Sequence, residues 1–342
     1  MSGQTPIVCV RPPSWITPGV SPLMDLLAWV RMAEELGLDG IFVGDRMLSE
    51  AAQDGKKVYG ASMLDPIVVL SAIAASTSRV LLGPLVMVLP FRHPVQLAKS
   101  IASLDAASGG RVILGAGLGW LAKEFTTLGI PMVERAARFE EMITIMRQLW
   151  KGSNVSYEGR FWTLEDVAIS PVPVNGPPPI WMASFAPSQS LEWPDGWPKP
   201  ALTQFDRVGR LADAWVPLVY SASSKRRIAP TVLGDAWNIV LDRAAIAERG
   251  RDDIDFVLSD WCYVLEGPDA KARCQQALGR FFEGDWDDAL RTYTIGTCDE
   301  VVEKVRAQTR HIDHVDGYVL TPLSDERDQV AHLAEVAAQL RS

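Results

Sequence analysis

Residues 108–120 read SGGRVILGAGLGW, and they indicate the class of fold more clearly than any other stretch of the chain. The apolar run at residues 112–114 predicts a buried strand. Alternating glycines follow it, at Gly115, Gly117 and Gly119. Because glycine has no Cβ, a strand that ends in glycines lets a flat ligand or a phosphate approach the backbone. Residues 134–151 then carry apolar side chains at helical spacing, so strand, glycine loop and amphipathic helix together predict a cofactor site.

The same alternation of strand-like and helix-like runs extends in both directions along the chain. Strands are predicted at residues 7–10, 39–43, 80–89, 112–114, 180–183, 213–218, 256–264 and 315–320. Helices are predicted at residues 25–36, 64–76, 94–107, 134–151, 297–310 and 326–340. This order predicts an α/β fold, a (β/α)8 TIM barrel with insertions, with residues 1–342 as one domain; a doubly wound open sheet is the alternative. In such a barrel the catalytic groups lie on the loops that follow the strands.

Two segments are predicted as insertions. Residues 152–166 contain two short alternating runs, which predict a hairpin. Residues 184–206 are rich in proline and tryptophan, which predicts a rigid loop rather than a helix. This loop is either a lid over the barrel mouth or a surface loop that packs on its own Trp193 and Trp197.

Composition excludes several classes of function. The chain of 342 residues has a formal net charge of −9, which argues against a nucleic-acid partner. Its four cysteines lack Cys-x-x-Cys spacing, which argues against disulfides or a metal site and favours a reducing cytoplasm. The sequence has neither a secretory leader nor an apolar run of about 18 residues, so no membrane association is expected.

Several short motifs occur in a characteristic order. They are AEELGLDG at 33–40, LGPLVMVLP at 82–90, RHP at 92–94, SGGRVILGAGLGW at 108–120, VSYEGRF at 155–161, PPIW at 178–181 and LADAW at 211–215. With these motifs the chain resembles the bacterial luciferase-like monooxygenase superfamily of flavin- or deazaflavin-dependent oxidoreductases. The resemblance implies a (β/α)8 barrel that binds reduced FMN or the deazaflavin coenzyme F420 at its C-terminal mouth.

The resemblance also implies where the cofactor binds. A non-proline cis peptide supports the ring in this family and would fall at Leu85–Val86. The glycine loop flanks the ring, and the loop after the fifth strand holds the phosphate. Cofactor binding is therefore assigned to Leu85, Val86, Met87, Gly115, Gly117, Leu118, Gly119, Trp120, Arg135, Ala183, Ser184, Phe185 and Ser188.

Two positions depart from the family pattern. Arg46 stands where relatives carry a histidine at the end of strand two. Arginine stays charged, so it would pair with an anionic substrate or a reduced flavin, or else form an ion pair with Asp45 or Glu50. Leu118 stands where classical luciferase subunits place an arginine for the phosphate, which weakens the expectation of an FMN clamp.

His93 is the histidine placed near the expected site, directly before Pro94. It is a candidate general acid or base because its unperturbed pKa lies near 6.5. The alternative is that it caps the helix that begins at Pro94. With Arg46, it completes the predicted catalytic pair.

Other candidates have both a functional and a structural interpretation. Arg135 and Arg138 would reach a phosphate or form salt bridges with Glu141 or Glu124. Aromatic residues near strand ends would either wall a flat ring or pack in the core. These aromatics are Trp120, Trp181 and Phe185. Cys9 and Cys262 are interpreted as core sulfur.

Three functions follow from the resemblance and remain open on sequence alone. The first is an FMN-dependent monooxygenase that oxidises a small hydrophobic substrate with O2 and receives reduced flavin from a separate reductase. The second is an F420-dependent dehydrogenase or reductase that transfers hydride. The third is a non-catalytic flavin-binding relative. Family members are commonly homodimers, and a homodimer is expected here.

Overall fold

A computed structural model describes residues 5–12, 22–48, 52–53, 56–57, 63–184, 199–221 and 224–342. Its strands are β1 Ile7–Val10, β2 Gly40–Val43, β3 Ala52–Gln53, β4 Lys56–Lys57, β5 Leu81–Pro84, β6 Met87–Val88, β7 Leu114–Gly117, β8 Val155–Glu158, β9 Thr163–Val167, β10 Ile180–Ser184, β11 Ala214–Pro217, β12 Tyr220–Ser221, β13 Arg226–Arg227, β14 Asp255–Val264, β15 Thr294–Gly296 and β16 Gly317–Pro322. Its helices are α1 Pro22–Glu35, α2 Pro66–Ser76, α3 Pro94–Ser108, α4 Ala122–Thr127, α5 Arg135–Leu149, α6 Lys199–Leu211, α7 Pro230–Ile246, α8 Ala270–Leu278, α9 Trp286–Thr292, α10 Cys298–Thr309 and α11 Arg327–Leu340.

The chain divides into two compact units, one of residues 1–42 with 182–342 and one of residues 43–181. In the first unit, parallel strands pair in the order β2, β1, β16, β14 and β11. The register places Ile7 beside Gly317 and Val257 beside the same glycine. Parallel pairing with helices between the strands is the arrangement that the alternating sequence pattern predicts.

Stacked aromatic rings fill the core of this first unit. The indoles of Trp215 and Trp237 lie 6.0 Å apart and nearly parallel, and Phe205 and Phe256 meet Trp215 edge-on. All four side chains are buried. Aromatic side chains bury large areas and pack well in such offset and edge-on pairs, so this cluster anchors helices α6 and α7 to the sheet.

The second unit contains the strands on either side of the glycine-rich segment. Strand β6 pairs in parallel with β7, with Met87 beside Ala116 and Val88 beside Gly117. Leu82 forms a parallel bridge with Val112. Helices α2, α3 and α5 belong to the same unit, and Trp150, at the end of α5, donates its indole N–H to the carbonyl of Ala98 on α3 at 3.0 Å.

Local sequence signals set the ends of several helices. Asp65 accepts the backbone N–H groups of Ile67 and Val68 at the start of α2, with Pro66 in the first turn. Thr297 and Glu300 form the reciprocal capping box predicted for α10. Such caps satisfy backbone donors that have no partner within the helix, so the sequence alone locates these ends well.

The third and fourth of the predicted strands, at residues 80–89 and 112–114, differ from those of the structure. The continuous strand expected at residues 80–89 is split into β5 and β6, and the strand expected at 112–114 lies at Leu114–Gly117. Gly115 and Gly117 therefore lie within a strand and not in a loop after it. Helix α4 was not predicted, and it occupies part of the segment expected to be a loop.

The two predicted insertions fare differently. Strands β8 and β9 pair antiparallel, which places a hairpin within residues 152–166 and extends it by one residue. Residues 199–206 of the expected proline-rich loop are the first part of helix α6, so the loop prediction was wrong there. The rest of the possible lid, with Trp193 and Trp197, lies outside the described residues.

Candidate active site

The peptide bond between Leu85 and Val86 is cis, as the family resemblance implies. It lies between strands β5 and β6, and the N–H of Leu85 donates to the carbonyl of Val43 at 2.7 Å. Leu85 and Met87 are buried and Val86 is half-buried. This hydrogen bond joins the end of β2 to the segment between β5 and β6, at the edge where the candidate residues lie.

The glycines of β7 face this interrupted strand. A Cβ on Gly115 would lie 2.1 Å from the carbonyl oxygen of Pro84, and one on Gly117 would lie 2.4 Å from Cγ2 of Val86. Both distances are shorter than any real van der Waals contact. The expectation that these glycines clear space for a ligand is corrected accordingly, because the protein's own neighbouring strand occupies that space.

Gly119 follows the strand and combines two constraints. Its φ is +75°, a left-handed conformation that residues with a Cβ rarely adopt. A Cβ there would also lie 2.7 Å from Cγ1 of Val88. This turn directs the next residue, Trp120, outward, and 48% of its surface is exposed. The core-packing interpretation of Trp120 is therefore wrong.

Asp45 follows strand β2 and joins it to the end of strand β6. Its carboxylate, 2% exposed, accepts both terminal nitrogens of Arg92 at 2.5 and 3.0 Å and the backbone N–H of Val88 at 2.9 Å. Two parallel hydrogen bonds of this kind fix orientation as well as distance. The ion pair considered between Asp45 and Arg46 was wrong, because Arg92 is the partner of Asp45.

Arg46 lies instead between Glu124 and Trp120. Its Nε is 3.9 Å from Oε1 of Glu124, and its guanidinium carbon is 5.6 Å from the centre of the Trp120 ring. The Arg46 side chain is only 9% exposed. Glu50, the other partner considered for Arg46, lies outside the described residues. Residues from the ends of strands β2 and β7 thus meet in one cluster, Arg46, Trp120 and Glu124.

His93 is the N-cap of helix α3, as one of its two interpretations predicted. Its Nδ1 accepts the backbone N–H of Val95 at 3.3 Å. The exposed imidazole meets the indole of Trp162 edge-on at 6.3 Å. His93 therefore lies against the tip of the β8–β9 hairpin.

The arginines at the start of α5 have other partners than those considered. Arg138 pairs with Glu134, one helical turn away, at 2.8 Å and lies over the ring of Phe161 at 4.4 Å. Arg135 donates to the carbonyl of Met132. The predicted bridges to Glu141 or Glu124 were wrong, because Glu141 accepts backbone N–H groups of the hairpin tip instead.

Two of the predicted cofactor-binding residues, Ala183 and Ser184, belong to the first unit. Ala183 and Ser184 are half-buried at the end of β10, and the Ser184 hydroxyl accepts the indole N–H of Trp215 at 3.1 Å. Phe185 and Ser188, proposed for the phosphate loop, lie outside the described residues.

A buried ion pair in the first unit was not predicted from sequence. Asp260 is fully buried and accepts both terminal nitrogens of Arg227, at 2.7 and 3.0 Å, and the hydroxyl of Thr294. Burial alone lowers the pKa of Arg227, but the Asp260 carboxylate outweighs it and raises that pKa. The pair holds strand β13 against β14.

The remaining candidates are structural. Trp181 is buried, as its core-packing interpretation predicted. Cys9 and Cys262 are buried free thiols, and burial raises the pKa of both above the usual range, so they behave as core sulfur. Within the described residues, no helix has the length and apolarity needed to cross a bilayer, and no cluster of histidine, cysteine and acidic side chains is arranged to bind a metal.

The model of the luciferase-like monooxygenase family matches residues 7–192 of this chain, more than half of its length. The chain belongs to the luciferase-like monooxygenase family. The match includes the cis peptide, the glycines of β7 and the cluster of Arg46, Trp120 and Glu124.

Several curated relatives are named as F420-dependent enzymes. An F420-dependent glucose-6-phosphate dehydrogenase of Beutenbergia cavernae is 37% identical over 168 residues, which are 48% of this chain and 48% of that one. The chain thus matches about half the length of such curated relatives.

Solved structures show the same fold over nearly the whole chain. An F420-dependent secondary alcohol dehydrogenase in complex with an F420–acetone adduct has a TM-score of 0.76 at 16% identity, covering 99% of this chain and 100% of that one. A type II Baeyer–Villiger monooxygenase from Pseudomonas putida in complex with FMN has a TM-score of 0.70 at 17% identity, covering 98% and 99%. These likenesses confirm the predicted α/β fold, the (β/α)8 barrel.

Proposed function

We propose that this family member is an oxidoreductase that transfers hydride between coenzyme F420 and an organic substrate. The observation that carries the proposal is the 37% identity to a dehydrogenase named as F420-dependent. When bound, the deazaflavin ring supplies a carrier of hydride that does not require oxygen. Leu118 supports this choice, because a leucine offers no cation to the phosphate of FMN.

The described residues fit a planar ring at the strand ends of the second unit. Trp120 presents a half-exposed indole, and Val86 is a half-buried apolar side chain at the cis peptide. Ligand sites are commonly lined by apolar and aromatic side chains with few polar groups. Trp120 and Val86 are therefore the residues that we propose to contact the ring.

We assign roles in the proposed hydride transfer to two residues, Arg46 and His93. A guanidinium offers hydrogen-bond donors and positive charge, so we propose that Arg46 stabilises negative charge and takes no part in proton transfer. His93 is the proposed general acid. Its Nδ1 accepts the N–H of Val95, so Nε2 is the ring nitrogen left to exchange a proton with a substrate. A substrate that gains hydride would also need such a proton.

A second candidate function is FMN-dependent oxygenation of a small hydrophobic substrate. It is favoured by the likeness in fold to the FMN-bound Baeyer–Villiger monooxygenase. This function would require a separate reductase to supply reduced flavin. For either function we propose a homodimer, because members of the family are commonly homodimers.

The test is an anaerobic titration of the apoprotein with reduced F420 and with reduced FMN, followed by fluorescence. We expect binding of F420 in the micromolar range and at least about tenfold weaker binding of FMN, a difference of about 1.4 kcal/mol. Preference for FMN, together with oxygen consumption, would transfer the proposal to the monooxygenase. Binding of neither cofactor would reject both functions.

A matched pair of variants tests the contact with the ring. Trp120→Leu should weaken cofactor binding about tenfold, since aromatic stacking contributes on the order of 1 kcal/mol or more. Trp286→Leu is the control, because Lys271 lies 5.0 Å from the Trp286 ring in a similar cation–aromatic pair on helices α8 and α9. Equal effects of the two substitutions would contradict the assignment of Trp120.

A further inference from the structure

Glu124 is a buried carboxylate on the short helix α4, and its hydrogen bonds reach a different loop. Its Oε1 accepts the backbone N–H groups of Met47, at 2.9 Å, and of Leu48, at 3.1 Å. Those two residues follow strand β2, whereas Glu124 follows strand β7. Only 5% of Glu124 is exposed, whereas Met47 is exposed and Leu48 half-buried, so these hydrogen bonds are partly shielded from water.

The same oxygen also faces the residue that precedes these two donors. Oε1 of Glu124 is 3.9 Å from Nε of Arg46. Arg46 in turn lies beside the ring of Trp120. One carboxylate oxygen therefore meets three consecutive residues, 46–48, while its own helix begins two positions after Trp120.

A buried side-chain oxygen that accepts two backbone N–H groups restricts the segment that donates them, provided that the side chain is long enough to reach both. Without Glu124, two backbone donors in a partly buried segment would lose this acceptor, and the segment would move to find water. The position of the Arg46 guanidinium depends on that segment.

We propose that Glu124 is a positioning residue of the cofactor site, which holds residues 46–48 so that Arg46 lies beside the exposed ring of Trp120. The role depends on the reach of the carboxylate to the two backbone donors more than on its charge. It rests on the proposed function, because it matters for binding only if a cofactor or substrate contacts Arg46 and Trp120.

Glu141 provides a control with the same geometry in a different place. It is buried on helix α5 and accepts the backbone N–H groups of Phe161, at 3.1 Å, and of Trp162, at 3.0 Å. These donors lie at the tip of the hairpin formed by β8 and β9. Shortening Glu141 should loosen a loop to a similar extent without displacing Arg46 or Trp120.

Two conservative substitutions separate reach from charge. Glu124→Asp keeps the charge but withdraws the acceptor by one methylene from Met47 and Leu48. Glu124→Gln keeps the reach and an acceptor oxygen but removes the charge that faces Arg46. Because both side chains are close in size to glutamate, we expect both variants to fold.

The experiment measures amide hydrogen exchange in the apoprotein and affinity for reduced F420 and reduced FMN in the same variants. We expect Glu124→Asp to accelerate exchange at Met47 and Leu48 and to weaken cofactor binding about tenfold, the loss that one hydrogen bond to a charged group accounts for. Glu124→Gln should preserve slow exchange and change affinity by less than about threefold. Glu141→Asp should accelerate exchange at the hairpin tip and leave cofactor affinity unchanged.

Each contrary outcome has a distinct meaning. Wild-type affinity in Glu124→Asp, with faster exchange at Met47 and Leu48, would overturn the positioning role and leave the proposed function intact. A loss of affinity in Glu124→Gln alone would overturn the role of reach and assign the effect to charge. A wild-type protein that binds neither cofactor would overturn the proposed function and, with it, this role.

Discussion

The close approach of Gly117 to Val86 leads to a quantitative prediction about stability. A Cβ at position 117 would lie 2.4 Å from Cγ2 and 3.2 Å from Cβ of Val86. An ordinary contact needs roughly 3.4 Å or more, so one of the two segments must move by about 1 Å if Gly117 is replaced by alanine. Val86 is β-branched and has little freedom to rotate away.

Overpacking of this kind costs about 1–3 kcal/mol, and we expect about 2 kcal/mol for Gly117→Ala. An unfolding entropy of about 2.1 cal/mol/K per residue gives about 0.7 kcal/mol/K for 342 residues. The melting temperature should therefore fall by about 3 °C. Thermal and urea unfolding of the two proteins measure this difference.

A double-mutant cycle tests the cause. Val86→Ala removes Cγ2, so Gly117→Ala should cost at least about 1 kcal/mol less in the Val86→Ala background than in the wild type. Gly115→Ala is the control, because its Cβ would meet the carbonyl oxygen of Pro84 at 2.1 Å, which no truncation of Val86 relieves. Strictly additive effects of Gly117→Ala and Val86→Ala would refute the reasoning.

Other consequences of the structure can be tested by unfolding measurements. Asp45→Ala should cost about 3 kcal/mol of stability, because it leaves the Arg92 guanidinium without its buried carboxylate; a loss below about 1 kcal/mol would contradict a buried pair. Thr297→Ala should cost about 1 kcal/mol through loss of the helix cap, whereas Thr297→Ser should retain most of the stability in urea. Burial and the neighbouring Asp316 raise the pKa of Asp255 to about 6, so the folded protein binds this proton more tightly than the unfolded chain and loses stability as the pH rises from about 4 through 6. Asp255→Asn should therefore match the wild type in melting temperature near pH 4 and exceed it above pH 6; a constant difference across this range would show that Asp255 is not the group responsible.

Much of the fold was predictable because its signals are local. Alternating apolar runs located most of the strands of the barrel, and the caps at Thr297 and His93 marked the starts of their helices within one residue. Helix α6 was missed because it begins directly after a proline-rich segment that resembles a loop. Its buried side chains Ala201, Phe205 and Val208 recur at helical spacing, so the signal was present in the sequence.

The candidate site was predictable in its positions but not in its pairings. The motifs placed Arg46 and Trp120 at strand ends, but sequence offered for Arg46 only an anionic ligand or an ion pair with Asp45 or Glu50, the last of which lies outside the described residues. The carboxylate that meets Arg46 belongs to Glu124, which also accepts a backbone N–H 77 positions away in the chain. Helix α4 also carries Lys123, Thr126 and Thr127, so no local pattern distinguishes Glu124 in the sequence.

By itself, the amino-acid sequence determined the class of fold and the segments from which the site is built, because periodicity, caps and glycine spacing act over a few residues. The family followed from the resemblance of its motifs, in their order, to those of known members. Only the tertiary structure decided that Asp45 pairs with Arg92, that Glu124 holds residues 46–48, and that the glycines of β7 face Val86 and Pro84. The physical reason is that ion pairs, buried hydrogen bonds and steric contacts depend on distances in space. Residues far apart in the chain acquire those distances only when parallel strands bring their ends to the same edge of the sheet.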